Sequence, residues 1–324
     1  MIDLARFATG MFVRVQEENY ADNADAFAQF APSQSYVQGT ARALMWMAQL
    51  AYEGTDDAKM RRVLALWGFD PASLVTKVAA TVGIAGIAST SYFIARRPDS
   101  VVLAFQGTDP ANLANWLTDF WAVPTDAGLH GGFAHALDAA APGVLAAVQE
   151  LAPTGLPLML TGHSLGGALA VLAAEHLTRN GVTPAGIYTF GMPRVGGIEY
   201  ARTYDDMLGN RTFRLVHGED LVPRMPPSWL HGNDFCHVGR RLTCPENGRF
   251  DPHRLLAEPD NEPDLPAPLA LQLDEIRPLE LLKTLWPRRE PGSFENTLVS
   301  RLVSALPGPI RDHLPDKYLA ALAA

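Results

Sequence analysis

A doubly wound, mostly parallel α/β sheet flanked by helices is the fold class that this 324-residue sequence predicts. Three observations carry that expectation. Short apolar runs of strand length recur along the chain, helical periodicities separate them, and one glycine-flanked serine tract lies directly between such a strand and such a helix.

Residues 41–67 read as two helices, the first with Leu44, Met47, Ala48 and Tyr52 on one face, the second with Met60, Val63, Leu64 and Trp67. They form a helical N-terminal flank over 1–83, packed on the core. Strand character begins at 84–95, turns at Pro98-Asp99-Ser100 and resumes at 101–105, whose unbroken apolar run suits a strand covered on both faces. An Ala-rich helix over 132–151 leads to a short strand at 156–160. A helix over 165–179 follows, closed by Asn180-Gly181. The unit repeats as strand 187–190, helix 197–208 and strand 213–216, and this alternation implies parallel strands joined by helical crossovers. Residues 252–309 hold ten of the 25 prolines and the acids Glu258, Asp260, Glu262 and Asp264, the composition of a loop-rich insertion within a catalytic unit spanning 84–324. Inside it, 279–286 has the spacing of a short helix able to pack back on the body. The last element expected is a helix over 316–322.

Composition bounds the chemistry. With 48% hydrophobic and 19% charged residues the chain can bury a full core. A formal charge of -9 and no Lys/Arg-rich run argue against a nucleic-acid partner and against an anionic membrane surface. No stretch reaches the ~18 uninterrupted apolar residues of a membrane span, so a soluble protein is expected. Asp3, Arg6 and Arg14 interrupt what would be the apolar core of a Sec signal, which leaves the cytoplasm or export by another route. Cys236 and Cys244 are the two cysteines. A hairpin of 233–238 and 242–245 around Gly239-Arg240-Arg241 would set them face to face; a bridge is then open, with two free thiols the preferred expectation. Cys and His show no zinc spacing and no dinucleotide fingerprint appears, so no metal and no cofactor is expected.

The tract Leu160-Thr161-Gly162-His163-Ser164-Leu165-Gly166-Gly167 matches Gly-x-Ser-x-Gly after a strand and before a helix. That context exposes a serine hydroxyl at the carboxyl edge of a sheet, beside the N–H groups of a helix start. A phosphate loop is the weaker reading, because no Lys follows the glycine pair. A nucleophilic serine needs a histidine base and a carboxylate to orient it, in the chain order Ser, acid, His. Asp220, just after the strand at 213–216, is the favoured acid, with Glu219 as the alternative. Asp205 and Asp206 sit on a helix and are expected to face solvent. His231, His237, His253 and His313 follow Asp220 in the chain. His237 alternates with apolar residues like a structural strand residue, His231 and His253 lie in loops, and His313 precedes the last helix, where the base is expected.

These segments resemble the class 3 lipase family, the fungal-lipase type of α/β-hydrolase. Phe105-Gln106-Gly107-Thr108 is similar to its Phe-Arg-Gly-Thr/Ser strand end, with Gln106 in place of the Arg. Asn115-Trp116-Leu117-Thr118-Asp119, His130-Gly131-Gly132-Phe133, Phe190-Gly191-Met192-Pro193-Arg194-Val195-Gly196, Asp220 through Pro227, and Asp312-His313 with Tyr318 resemble further family motifs. The resemblance covers about 84–245 and 310–322. It implies Ser164 as nucleophile, Asp220 as acid, His313 as base, and Thr108 with the Leu165 backbone N–H as oxyanion donors. It also implies a lid after the oxyanion strand, where Leu113, Trp116, Leu117, Phe120 and Trp121 form an apolar helical stripe over 109–123 that serves either as cover for an acyl pocket or as ordinary core.

The function expected is carboxylic ester hydrolysis through an acyl-enzyme, by a lipase or esterase acting on acylglycerol or similar small-molecule or lipid esters. Contact with lipid interfaces is at most transient, and the oligomeric state is open. A phospholipase A1, a feruloyl-type esterase or an acyltransferase would use the same residues. A catalytically silent hydrolase scaffold used for binding is the alternative from a different class.

Overall fold

The strands of the computed structural model are, in chain order, β1 (Val75–Ile84), β2 (Ile87–Arg96), β3 (Val101–Phe105), β4 (Thr125–Asp126), β5 (Leu129–His130), β6 (Leu158–His163), β7 (Gly186–Phe190), β8 (Gly196–Gly197), β9 (Thr212–His217), β10 (Phe235–Cys236) and β11 (Arg240–Cys244). The helices are α1 (Glu17–Ala21), α2 (Gln38–Leu50), α3 (Asp57–Leu66), α4 (Gly131–Leu151), α5 (Leu165–Arg179), α6 (Ile198–Leu208), α7 (Gly308–Arg311) and α8 (Pro315–Leu322). The structure describes residues 15–54, 56–84, 87–108, 125–126, 128–152, 155–228, 234–256 and 308–323.

Seven strands form the central sheet in the order β1-β2-β3-β6-β7-β9-β11. The pairs β1-β2 and β2-β3 are antiparallel, and every later pair is parallel. Three of the four parallel neighbours are reached through a helix, α4 between β3 and β6, α5 between β6 and β7, and α6 between β7 and β9, whereas β10 lies between β9 and β11. The carboxyl ends of β3, β6, β7 and β9 therefore line one edge, where ligands bind in open sheets of this kind.

The two faces of the sheet are both buried, in separate apolar clusters. Val101, Leu103, Phe105, Leu158, Leu160 and Ile187 join α4, α5 and α6 on one side. Val102, Ala104, Met159, Tyr188, Phe213 and Leu215 join α2, α3 and α8 on the other. Alternation with period 2 sends successive residues of one strand to opposite layers, so a strand covered twice has no polar position left. The unbroken Val101-Val102-Leu103-Ala104-Phe105 run is the result. Helix α4 is long and apolar enough to cross a membrane by length and composition, yet Phe133, Ala136, Ala140, Val144 and Val148 are buried in the core.

Three expectations change. The sheet starts at Val75, within the segment read as a helical flank, because Val-Thr-Lys-Val-Ala-Ala has the weak apolar pattern of a half-exposed edge strand. Residues around 233–245 do not form a hairpin. Phe235–Cys236 pairs with Gly196–Gly197 in a second, four-stranded sheet of order β10-β8-β5-β4, whereas β11 runs parallel to β9 and buries Leu242 and Cys244. Both cysteines are free thiols, and burial pushes the Cys244 thiol up to about 12. Asp205 does not simply face solvent. It is half-buried, and its carboxylate accepts a 2.7 Å hydrogen bond from the Gly239 N–H.

Candidate active site

At the end of β6 the backbone of Ser164 adopts φ 59° and ψ −130°, a left-handed conformation that residues with a Cβ rarely take. Its neighbours are glycines for reasons of space. A Cβ at Gly162 would lie 2.1 Å from the Gly166 carbonyl oxygen, and a Cβ at Gly166 would lie 2.3 Å from the Phe105 carbonyl oxygen. The strained residue is held on both sides: its N–H donates to the Phe190 carbonyl at 2.9 Å, and its carbonyl accepts from the Gly167 N–H at 2.9 Å. Its Oγ is buried and has no hydrogen-bond partner among the described residues. Helix α5 begins at Leu165, so the serine faces N–H groups that have no partner within the helix.

Phe105 pairs with Gly162 across the parallel β3-β6 ladder, so the chain after Phe105 leaves the sheet beside His163 and Ser164. A Cβ at Gly107 would lie 3.2 Å from the Ser164 Cβ. Thr108, one residue further, has a buried Oγ1 with no hydrogen-bond partner among the described residues. Thr108 and Leu165 thus occupy the same edge of the sheet as Ser164.

Asp220 follows β9 and is buried. Three donors converge on its carboxylate. The Val222 N–H donates to Oδ1 at 2.9 Å, the Tyr318 hydroxyl to Oδ2 at 2.5 Å, and His313 Nδ1 to Oδ2 and Oδ1 at 2.9 and 3.0 Å. An ionised carboxylate only accepts, so His313 carries its proton on Nδ1 and presents a lone pair at Nε2. That Nε2 is buried and has no hydrogen-bond partner among the described residues. His313 itself is brought in by the turn between α7 and α8. Its carbonyl accepts a 2.7 Å hydrogen bond from Nε2 of His163, the residue before Ser164.

The other candidates lie elsewhere. Glu219 is exposed and pairs with Arg224, His237 is buried with Nε2 2.6 Å from the Pro223 carbonyl, and His253 is exposed on a short turn. His231, the stripe with Trp116, Leu117 and Phe120, and the segment 279–286 lie outside the described residues. Two participants in the network had not been assigned from the sequence. Tyr318 stands in the resemblance without a role; it lies in the first turn of α8, which begins two residues after His313, and its hydroxyl reaches the same carboxylate. Tyr52, whose hydroxyl lies 2.7 Å from His163 Nδ1, reads from the sequence as one of four apolar positions on a helix face. Burial, and secondarily the Asp220 charge, hold the Tyr318 hydroxyl well above the usual range, so it stays a donor.

A serine on a strained strand-to-helix turn, with an Asp-bound histidine at the same sheet edge, defines the α/β-hydrolase class. Within it, residues 102–229 match the lipase (class 3) family. A secreted mono- and diacylglycerol lipase of Fusarium solani is 38% identical over 136 residues, 39% of each chain. A phospholipase A1 of Oryza sativa subsp. japonica is 30% identical over 187 residues, 45% of each chain. The chain spans half or less of the length of these curated relatives. Lipase II from Rhizopus niveus shares the fold with a TM-score of 0.51 at 20% identity, over 76% of this chain and 88% of that one.

Proposed function

We propose that this protein is a serine carboxylic ester hydrolase acting on acylglycerols or similar acyl esters, with Ser164 as nucleophile, His313 as base and Asp220 as its orienting acid. The observation that carries the reading is the set of buried polar atoms left unpartnered at one sheet edge, Ser164 Oγ, His313 Nε2 and Thr108 Oγ1, while every other side-chain polar atom of the His313–Asp220 pair is satisfied. Buried groups without partners are rare, and a substrate supplies what these three lack. Ser164 Oγ attacks the ester carbonyl as its proton passes to His313 Nε2, and the tetrahedral oxyanion is received by the Thr108 hydroxyl and the Leu165 N–H. The proton then moves to the leaving alcohol, and water releases the acid from the acyl-enzyme by the same steps. Asp220 keeps Nε2 free for this exchange and stabilises the imidazolium.

The name of the Fusarium relative includes secretion, with which export of this protein is compatible. The rice relative supports a second reading, phospholipase A1 activity at the same serine. A fluorophosphonate probe, a p-nitrophenyl acyl-length series, and release of fatty acid from diacylglycerol against phosphatidylcholine test both readings. Labelling is expected at Ser164, and Ser164→Ala should lose at least about a thousandfold in turnover while folding normally. Ester hydrolysis retained by the pure variant would falsify the nucleophile assignment.

A further inference from the structure

We propose that Tyr52 and His163 are positioning residues for His313, a relay through which the N-terminal helical layer fixes the backbone of the base. The inference rests on the reading of Ser164 and His313 as nucleophile and base.

His163 is buried and its two ring nitrogens have different partners. Nε2 lies 2.7 Å from the His313 carbonyl, and Nδ1 lies 2.7 Å from the Tyr52 hydroxyl. A carbonyl oxygen only accepts, so Nε2 must carry the proton; Nδ1 then accepts, and Tyr52 donates. The three groups form a one-way chain of donors, Tyr52 to His163 to the His313 carbonyl. His313 is consequently held at both ends, by Asp220 at Nδ1 and by His163 at the carbonyl, with Nε2 left open.

The chain also controls charge next to the base. The His163 and His313 rings lie 4.6 Å apart between centroids, inclined by 33°. A cation on His163 would oppose the imidazolium that His313 must become. Burial, and then the neighbouring His313, hold His163 well below the usual histidine range, and the Tyr52 hydroxyl occupies the one lone pair through which the ring could take a proton. Among the described residues, the titratable groups against the His163 ring are Tyr52, His313 and Tyr318, whose ring lies 5.7 Å away edge-on; Asp220 is reached through the last two.

Position makes Tyr52 specific to this task. It follows α2 in a short turn, Ala51–Glu53, on the sheet face opposite α4, α5 and α6. Its hydroxyl fills the space that a side chain at Gly107 would need: a Cβ there would lie 2.3 Å from the Tyr52 Oη and 2.4 Å from the His163 carbonyl oxygen. One hydroxyl therefore abuts both the elbow and the strand end that leads to Thr108.

The experiment uses the full chain, p-nitrophenyl butyrate and five variants beside wild type. Tyr52→Phe keeps the ring and removes the donor. It should lower kcat about 3- to 10-fold with KM within about twofold, the size expected for one hydrogen bond, and it should steepen the acid limb of kcat/KM as His163 becomes able to protonate. His163→Gln retains a nitrogen donor at the Nε2 position and cannot titrate; His163→Asn keeps an acceptor that faces Tyr52, but its shorter amide has no donor at the Nε2 position. Gln should stay within about threefold of wild type, Asn should lose about 10- to 100-fold, and in the Gln background Tyr52→Phe should no longer change the acid limb. The inference is overturned if Tyr52→Phe and His163→Asn both keep wild-type kcat and acid limb, if Gln is as impaired as Asn, or if each loss is accounted for by the unfolded fraction measured in parallel. Ser164→Ala separates the two levels: an active Ser164→Ala removes the nucleophile reading, whereas an inactive one beside a wild-type Tyr52→Phe removes only the relay.

Discussion

Asp312 accepts a 2.8 Å hydrogen bond at Oδ2 from the backbone N–H of Glu219, so the residue before His313 is clamped to the residue before Asp220. Both Asp220 and His313 thereby sit on loops joined by a buried carboxylate. A second contact faces the other oxygen, with His217 Nδ1 3.9 Å from Asp312 Oδ1. Asp312→Ala should leave the Glu219 N–H without its acceptor and cost about 1–3 kcal/mol of stability, whereas Asp312→Asn, which keeps an acceptor oxygen, should cost less. Urea unfolding of the two variants checks this; equal losses would mean that charge, not the hydrogen bond, holds the loops.

Thr108→Val tests the hydroxyl alone, because the replacement keeps shape and β-branching. Turnover should fall about 100- to 1000-fold, or ~2.7–4 kcal/mol, with KM nearly constant and the unfolding midpoint unchanged. A variant that mainly unfolds would make the hydroxyl a structural cap on the strand end.

Tyr318→Phe removes one of the three donors to Asp220 and the acceptor of the His217 N–H. Hydrogen bonds to charged groups contribute about 1.5–3 kcal/mol, so a loss of about tenfold or more in turnover is expected together with lower stability. Steady-state kinetics and thermal unfolding on the same preparation read both; unchanged kcat would show that the Val222 N–H and His313 suffice to hold the carboxylate.

Asp205 makes stability depend on pH. Burial raises its carboxyl from the ordinary 3.8 to about 6, offset in part by the Gly239 N–H and Arg214. The folded state thus binds this proton more tightly than the unfolded chain does, and the contribution to stability present below about 4 is lost as pH rises towards and through 6. Asp205→Asn keeps an acceptor for Gly239 but has no charge. Its unfolding free energy relative to wild type should therefore climb between pH 4 and 6 and level off above, as urea titrations at successive pH values would record. A difference that is flat with pH would remove Asp205 as the cause.

The residues that announced themselves in the sequence are those constrained by local geometry. Ser164 was legible because a strained turn demands glycine at 162 and 166, and the strand at 101–105 because a doubly covered strand excludes polar side chains. Asp220 followed from chain order after a strand. Less was visible where geometry depends on distant partners. Tyr52 has the same apolar signature on its helix as Leu44 or Met47, and only the packed sheet reveals that its hydroxyl meets His163. Asp312 and Glu219 look like surface charges until their loops meet. The hairpin expected at 233–245 failed for the same reason: the segment after Gly239 answers to the open edge of β9, not to its sequence neighbour.

The contacts of Asp220 span 93 positions to His313 and 98 to Tyr318, against two to Val222. In a ribosome-bound chain that has emerged only through residue 307, the Asp220 carboxylate still lacks its two side-chain donors. The arrangement proposed for Ser164 therefore stays incomplete until residues 308–323 join the fold, last in the order in which the polypeptide is made.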